Sequence, residues 1–142
     1  MPREKAAMKI AIIGCAKQKL WGRHRAKDLY SSVLFRLGWR YASRHFPEVF
    51  ILSAKHGLVG PDRFIRSYDS TLKDMTRATR RAWAKKAAAQ IERQTPKGSE
   101  LYFFCGHAYI EFLPEFLPKR KIYTPLSGLG LGRRLQWYKK NL

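Results

Sequence analysis

The run VFILSAKHGLVGPDRFIRSYDSTL, Val49 to Leu72, is the part of this chain whose reading decides the fold. Val49 to Leu52 form an apolar block without alternation, the pattern of a strand buried on both faces. A long polar loop follows at once, carrying Ser53, Lys55, His56, Asp62, Arg63, Arg66, Tyr68 and Asp69. Gly57, Gly60 and Pro61 break any helix there. Open α/β sheets place their ligands in loops at the carboxyl ends of parallel strands, so a site is expected here.

Outward from this run, similar blocks recur. Lys9 to Gly14 (KIAIIG), Leu101 to Cys105 (LYFFC) and the shorter Lys121 to Thr124 (KIYT) read as strands. Asp28 is an N-cap for a helix through Leu29, Val33, Leu34, Leu37 and Tyr41, closed by His45-Phe46-Pro47. Thr71 or Asp74 caps a second helix through Met75, Ala78, Ala82, Trp83, Ala87 and Ile91, which Pro96-Lys97-Gly98 stops. Ala108 to Phe116 reads as a short helix, and a basic helix with Arg133, Arg134, Trp137, Lys139 and Lys140 closes the chain. This β-α alternation predicts a single domain over residues 1–142: a three-layer α/β/α sandwich around a mostly parallel four-stranded sheet.

Charge sets the partner class. Lys and Arg number 29 against 10 Asp and Glu, for a formal net charge of +19. So large an excess repels itself in the compact state, and a polyanion relieves the cost. Nucleic acid is the expected partner. An anionic membrane surface fits less well, because no apolar run approaches the ~20 residues of a spanning helix. Cys15 and Cys105 lack metal-ligand spacing and read as reduced thiols in or near the core, so no metal and no cofactor is expected. The N-terminal MPREKAAMK lacks the apolar core of a signal peptide, which points to a cytoplasmic protein, expected as a monomer.

In a parallel sheet all strand exits share one edge. That edge gathers Lys17, Asp28, Ser53, His56, Asp69, His107 and Ser127, with Lys19, Lys55 and Gly106 beside them. Asp28, Asp62 and Asp69 lie in or beside these loops, although the chain has only 10 acidic residues. A carboxylate there opposes phosphate binding and needs another reason to be present. Catalysis is one; N-capping for Asp28 and turn bonds for Asp62 and Asp69 are the local alternatives. His56 reads as catalytic or as a loop anchor, and His107 as a base contact or a helix cap. Tyr30 and Tyr68 adjoin the two better aspartates and suit stacking on a base, with core packing the other reading of Tyr30. The GLGLG run is not a Walker motif, but it precedes a helix opening near Arg133 and Arg134, a combination that grips phosphate.

Three segments resemble the uracil-DNA-glycosylase-like superfamily. LYFFCGHAYIEF is similar to its third strand, YTPLSGLGLG to its last strand and minor-groove loop, and Asp28-Leu29-Tyr30 to its Asp-Pro-Tyr water-activating loop. The chain lacks that proline, and Thr124 stands where the superfamily carries a histidine. A closer match spans nearly the whole chain. CAKQK, DLYSSVLF, ILSAKHGLVGPD, YDSTL and PLSGLGLGRRLQW resemble a family of small phage and bacterial proteins labelled as a domain of unknown function. That family looks related to the antiphage DNA glycosylase that excises glucosylated hydroxymethylcytosine.

The resemblance implies a glycosylase that flips a modified base out of double-stranded phage DNA and leaves an abasic site. Asp28 or Asp69 would stabilise the sugar cation and activate water, with His56 at the departing base. Tyr30, Ser53, Tyr68, Gly106 and His107 would form the base pocket. Lys17, Lys19, Lys55, Ser127, Arg133 and Arg134 would hold the DNA, with Pro125 and Leu126 near it and Leu129 or Leu131 as a wedge. A lyase variant would use Lys17 or Lys55 as a Schiff-base nucleophile. A non-enzymatic DNA-binding protein and a glycosidase of free nucleosides or nucleotides are the alternatives.

Overall fold

The computed structural model describes residues 7–142. Four parallel strands form its centre: β1 (Lys9–Gly14), β3 (Glu48–Ser53), β6 (Glu100–Phe104) and β7 (Lys121–Tyr123). A fifth, β4 (Gly57–Val59), folds back antiparallel on β3, giving the order β4-β3-β1-β6-β7. The sheet therefore has five strands where the sequence reading expects four. The loop after β3 accounts for the difference. Gly57 takes a φ of +72°, open to glycine, and turns Leu58 and Val59 back against Leu52 and Ile51.

A separate two-stranded ribbon pairs β2 (Arg23–Arg25) with β5 (Phe64–Arg66). Both lie in stretches expected as loop.

The central strands alternate between two apolar layers, as the period of two demands. Ile10, Ile12, Phe50, Leu52, Leu101 and Phe103 face one way. There they meet α3 (Arg77–Gln94), α4 (His107–Ile110) and α5 (Leu113–Phe116). Ala11, Ile13, Val49, Ile51 and Phe104 face the other way, toward α2 (Val33–His45) and α6 (Leu131–Asn141). Each fully buried aliphatic side chain contributes about 1.5–3 kcal/mol, so the two layers carry most of the stability. On α3 the buried stripe is narrow, Ala84, Ala87, Ala88 and Ile91, and the basic residues take the outer faces.

Three helix boundaries differ from expectation. Asp28 does not cap the first long helix but lies inside α1 (Ala26–Leu29), a single turn. Leu29 and Tyr30 are both buried, so the chain must turn before α2 begins. Ser32 caps α2 instead, accepting from the Phe35 amide at 3.1 Å. Likewise Thr71 precedes and Asp74 ends a 3₁₀ turn over Leu72–Asp74 that sends Leu72 into the core, and Thr76 caps α3. The stretch Ala108 to Phe116 is two short helices, parted where Phe112 turns into the core ahead of Pro114.

Candidate active site

From β1 the chain moves to β3 on one side and later to β6 on the other. The exits of β1 and β6 thus frame a topological switch point, where such sheets open a crevice. Gly14 ends β1 so close to β6 that a Cβ there would stand 3.2 Å from the Cys105 Cβ. Beyond this point the strands part around a cavity of about 310 Å³, in the range of small-ligand pockets. Cys15, Lys17, Asp74, Tyr109 and Arg134 line it, with Phe35 and Tyr138 among its apolar walls. Arg134 comes from the first turn of α6, donates from Nε to the Leu129 carbonyl at 2.8 Å and reaches toward Gly106. Its charge draws down the Cys105 thiol, but burial outweighs it and pushes that thiol well above its usual range.

Beside the crevice lies a buried polar network. Ser53, fully buried at the end of β3, donates to the Tyr68 hydroxyl at 2.8 Å. The same Ser53 Oγ accepts from the Lys55 and His56 amides at 3.2 and 3.0 Å, which shapes the β3–β4 turn. Tyr68 shares a 2.6 Å hydrogen bond with Tyr30. Trp83 Nε1 donates to the Ser53 carbonyl at 3.1 Å, and its ring meets Tyr109 edge-on.

Cys15 joins the network to the crevice. Its sulfur lies 3.0 Å from the Tyr109 hydroxyl and accepts from the Ala54 amide at 3.4 Å. Burial, and secondarily the adjacent Cys15 sulfur, pushes Tyr30, Tyr68 and Tyr109 far above the usual phenol range. All three are therefore neutral hydrogen-bonding groups at neutral pH, not bases.

Lys19 covers this network, its ammonium 4.4 Å from the Tyr68 ring centre. Burial lowers its pKa, and the neighbouring Cys15 and Asp69 offset part of that shift. His56 packs edge-on against Tyr68, with its pKa lowered by burial and then by Arg63 and Lys55.

The residues singled out by sequence thus divide. Tyr30, Ser53, His56, Tyr68 and Lys19 come together, with Asp69 exposed beside Lys19. Lys17, Gly106 and Arg134 line the crevice. Asp28 does not; it lines a second cavity of about 560 Å³ near Arg36 and Arg40. His107 is exposed and stands 3.6 Å from Glu111, and Asp62 stands 3.4 Å from Lys27. Lys55, Ser127 and Arg133 are exposed. Of the two wedge leucines, Leu131 is exposed at 63% while Leu129 packs against the core.

Sequence reasoning missed Cys15, Asp74, Trp83 and Tyr109 as site residues. The position of Cys15 at the exit of the first strand was a signal in plain view. Among the described residues, no group of three or more His, Cys, Asp or Glu converges on a metal position. Nor is any helix there long and apolar enough to cross a membrane.

Residues 10–140 match the model of a family of unknown function, DUF6884, and the chain belongs to that family. It is 36% identical over 143 residues to the uncharacterized protein YfjM of Bacillus subtilis (strain 168), covering 90% of this chain and 91% of that one. No solved structure matches.

Proposed function

We propose that this DUF6884 protein is a DNA glycosylase that draws a modified base into the crevice between β1 and β6. One conjunction carries the reading: a base-sized cavity at the switch point, flanked by Lys17 and Arg134, on a chain of net charge +19. Phosphate neutralisation by exposed lysines and arginines supplies affinity, and aromatic walls such as Phe35 and Tyr109 suit a flipped base.

Cleavage requires water oxygen to bond to the sugar C1′ while the C1′–N bond breaks and its electrons leave with the base. The water proton passes to a carboxylate or to solvent, and the departing base takes up a proton. Asp74, which lines the crevice, is the carboxylate best suited to stabilise the cationic sugar and orient that water, with Asp69, exposed beside Lys19, the second candidate. The neutral Tyr109 hydroxyl, at the crevice wall beside Cys15, suits hydrogen bonding to a polar base edge. Arg134 serves the phosphate or the base leaving with negative charge.

Glucosylated hydroxymethylcytosine is the substrate class to test first, on the strength of the family resemblance. The purified protein is incubated with DNA carrying that base and with unmodified DNA; released base is read by mass spectrometry and abasic sites by alkaline cleavage. Release is expected only from modified DNA, lowered tenfold or more in Arg134→Ala, in line with loss of one charge-stabilising donor. Duplex binding without any base release would leave a non-enzymatic DNA-binding protein. Release from free nucleosides with no salt-sensitive DNA binding would leave a nucleoside glycosidase.

A further inference from the structure

The β2–β5 ribbon stands outside the central sheet and takes no part in the crevice. Its pairing places Arg23 opposite Arg66, His24 opposite Ile65 and Arg25 opposite Phe64. His24 and Ile65 turn inward, Ile65 being 5% exposed. Arg23, Arg25, Arg66 and Phe64 are all exposed on the other face. The guanidinium groups of Arg23 and Arg25 stand 5.6 and 5.2 Å from the centre of the Phe64 ring. Trp21 adjoins the ribbon and is 93% exposed.

Like charges directly opposite on a two-stranded ribbon oppose its formation. Among the described residues no carboxylate pairs with Arg23, Arg25 or Arg66, and only the Phe64 ring faces Arg23 and Arg25. Yet the ribbon holds together, its pairing continued at both ends and Ile65 seated in the core. The Ala26 amide donates to the Arg63 carbonyl at 2.8 Å, Lys27 to Pro61 at 3.0 Å and Ser67 to Gly22 at 2.9 Å. A self-repelling arginine face beside a nearly bare tryptophan suits an anionic partner with flat surfaces.

We propose that this ribbon is a second DNA-binding element, separate from the crevice, which lies in the major groove of duplex DNA. Two strands about 4.8 Å apart, with their side chains, fit a groove about 12 Å wide. The deep, narrow major groove of double-stranded RNA does not admit them. Position agrees with this. Tyr68, two residues beyond Arg66, bonds Ser53 at the end of β3, and Lys19, two residues before Trp21, lies over Tyr68. The ribbon therefore springs from the same edge of the sheet as the crevice and can hold the duplex that flanks a flipped nucleotide. The inference rests on the glycosylase reading only in taking DNA as the polyanion.

The test measures binding by fluorescence anisotropy between about 50 and 200 mM salt. The full chain is compared with Arg23→Ala/Arg25→Ala/Arg66→Ala and, separately, Trp21→Ala, on duplex DNA, duplex RNA and anionic phosphatidylserine vesicles. Loss of up to three phosphate contacts should flatten the slope of log affinity against log salt by about 2–3. Duplex DNA affinity should fall about tenfold or more at the low-salt end, with a thermal melt no lower than the parent's. Trp21→Ala should weaken binding without changing the slope. An unchanged slope in the triple variant overturns the proposal, as does an equal or larger loss on duplex RNA or on vesicles. The two readings fail separately. Duplex binding that depends on the ribbon, without base release, removes only the glycosylase; base release with a ribbon-independent slope removes only the ribbon.

Discussion

Replacing Ser53 by alanine should unravel the polar network from its centre. Ser53 is fully buried, and its Oγ makes three hydrogen bonds: to Tyr68 at 2.8 Å, from the His56 amide at 3.0 Å and from the Lys55 amide at 3.2 Å. Each is worth about 0.5–1.5 kcal/mol net, and partners left unsatisfied in the interior cost more. The Lys55 bond is the longest of the three and only part-buried, which moderates the sum. We expect a loss of about 2–4 kcal/mol, a large share of the roughly 5–15 kcal/mol that holds a domain together. With an m-value of about 1–3 kcal/mol/M, the urea midpoint should fall by roughly 0.7–4 M. Tyr68→Phe removes one of the same bonds and one to Tyr30, so the double variant should lose less than the sum of the singles. A Ser53→Ala midpoint within about 0.3 M of the parent, at unchanged m, would refute the claim that this hydroxyl organises the site.

Gly57→Ala should destabilise by about 2 kcal/mol or more, read by the same urea titration. The residue sits at φ +72°, and an added Cβ would run into the Gln90 side chain, which holds the Leu58 amide and the His56 carbonyl. His56 has its pKa lowered in the fold, chiefly by burial and then by Arg63 and Lys55, so the unfolded chain binds its proton more readily. Its contribution is therefore present above about pH 6.5 and lost as pH falls through the folded value; His56→Gln should flatten that acid limb of a melting-temperature profile. For base release, Asp28→Asn should be close to the parent, whereas Asp74→Asn or Asp69→Asn should lose tenfold or more, by mass spectrometry of the freed base. Loss at Asp28 alone would move the chemistry to the second cavity.

The parallel core was legible because Ile10–Ile13, Val49–Leu52 and Leu101–Phe104 are buried from both sides, and continuous burial writes itself as a continuous apolar run. The short strands were not. RHR, GLV and FIR have no strand pattern of their own and become strands only through partners far along the chain. Asp28 is a good helix cap by local chemistry, but burial of Leu29 and Tyr30 overrode that preference and left the cap to Ser32. The same limit hid half of the site. Ser53 and Tyr68 stood in the expected loop, so their pairing was within reach. Tyr109 meets Cys15 from 94 positions away, a meeting that the crossover from β1 to β6 creates and no local pattern announces. Pro114, by contrast, was a visible reason to end the helix before α5.

The chain has two thiols, and the fold treats them differently. Both border the crevice, but Cys105 is buried with its sulfur toward the Ile12 carbonyl, while Cys15 is half-buried on the crevice wall. A neutral alkylating reagent thus meets Cys15 first, and its labelling rate becomes a built-in gauge of occupancy. Anything seated between β1 and β6 shields Cys15, so ligands can be ranked by protection before any turnover is measured.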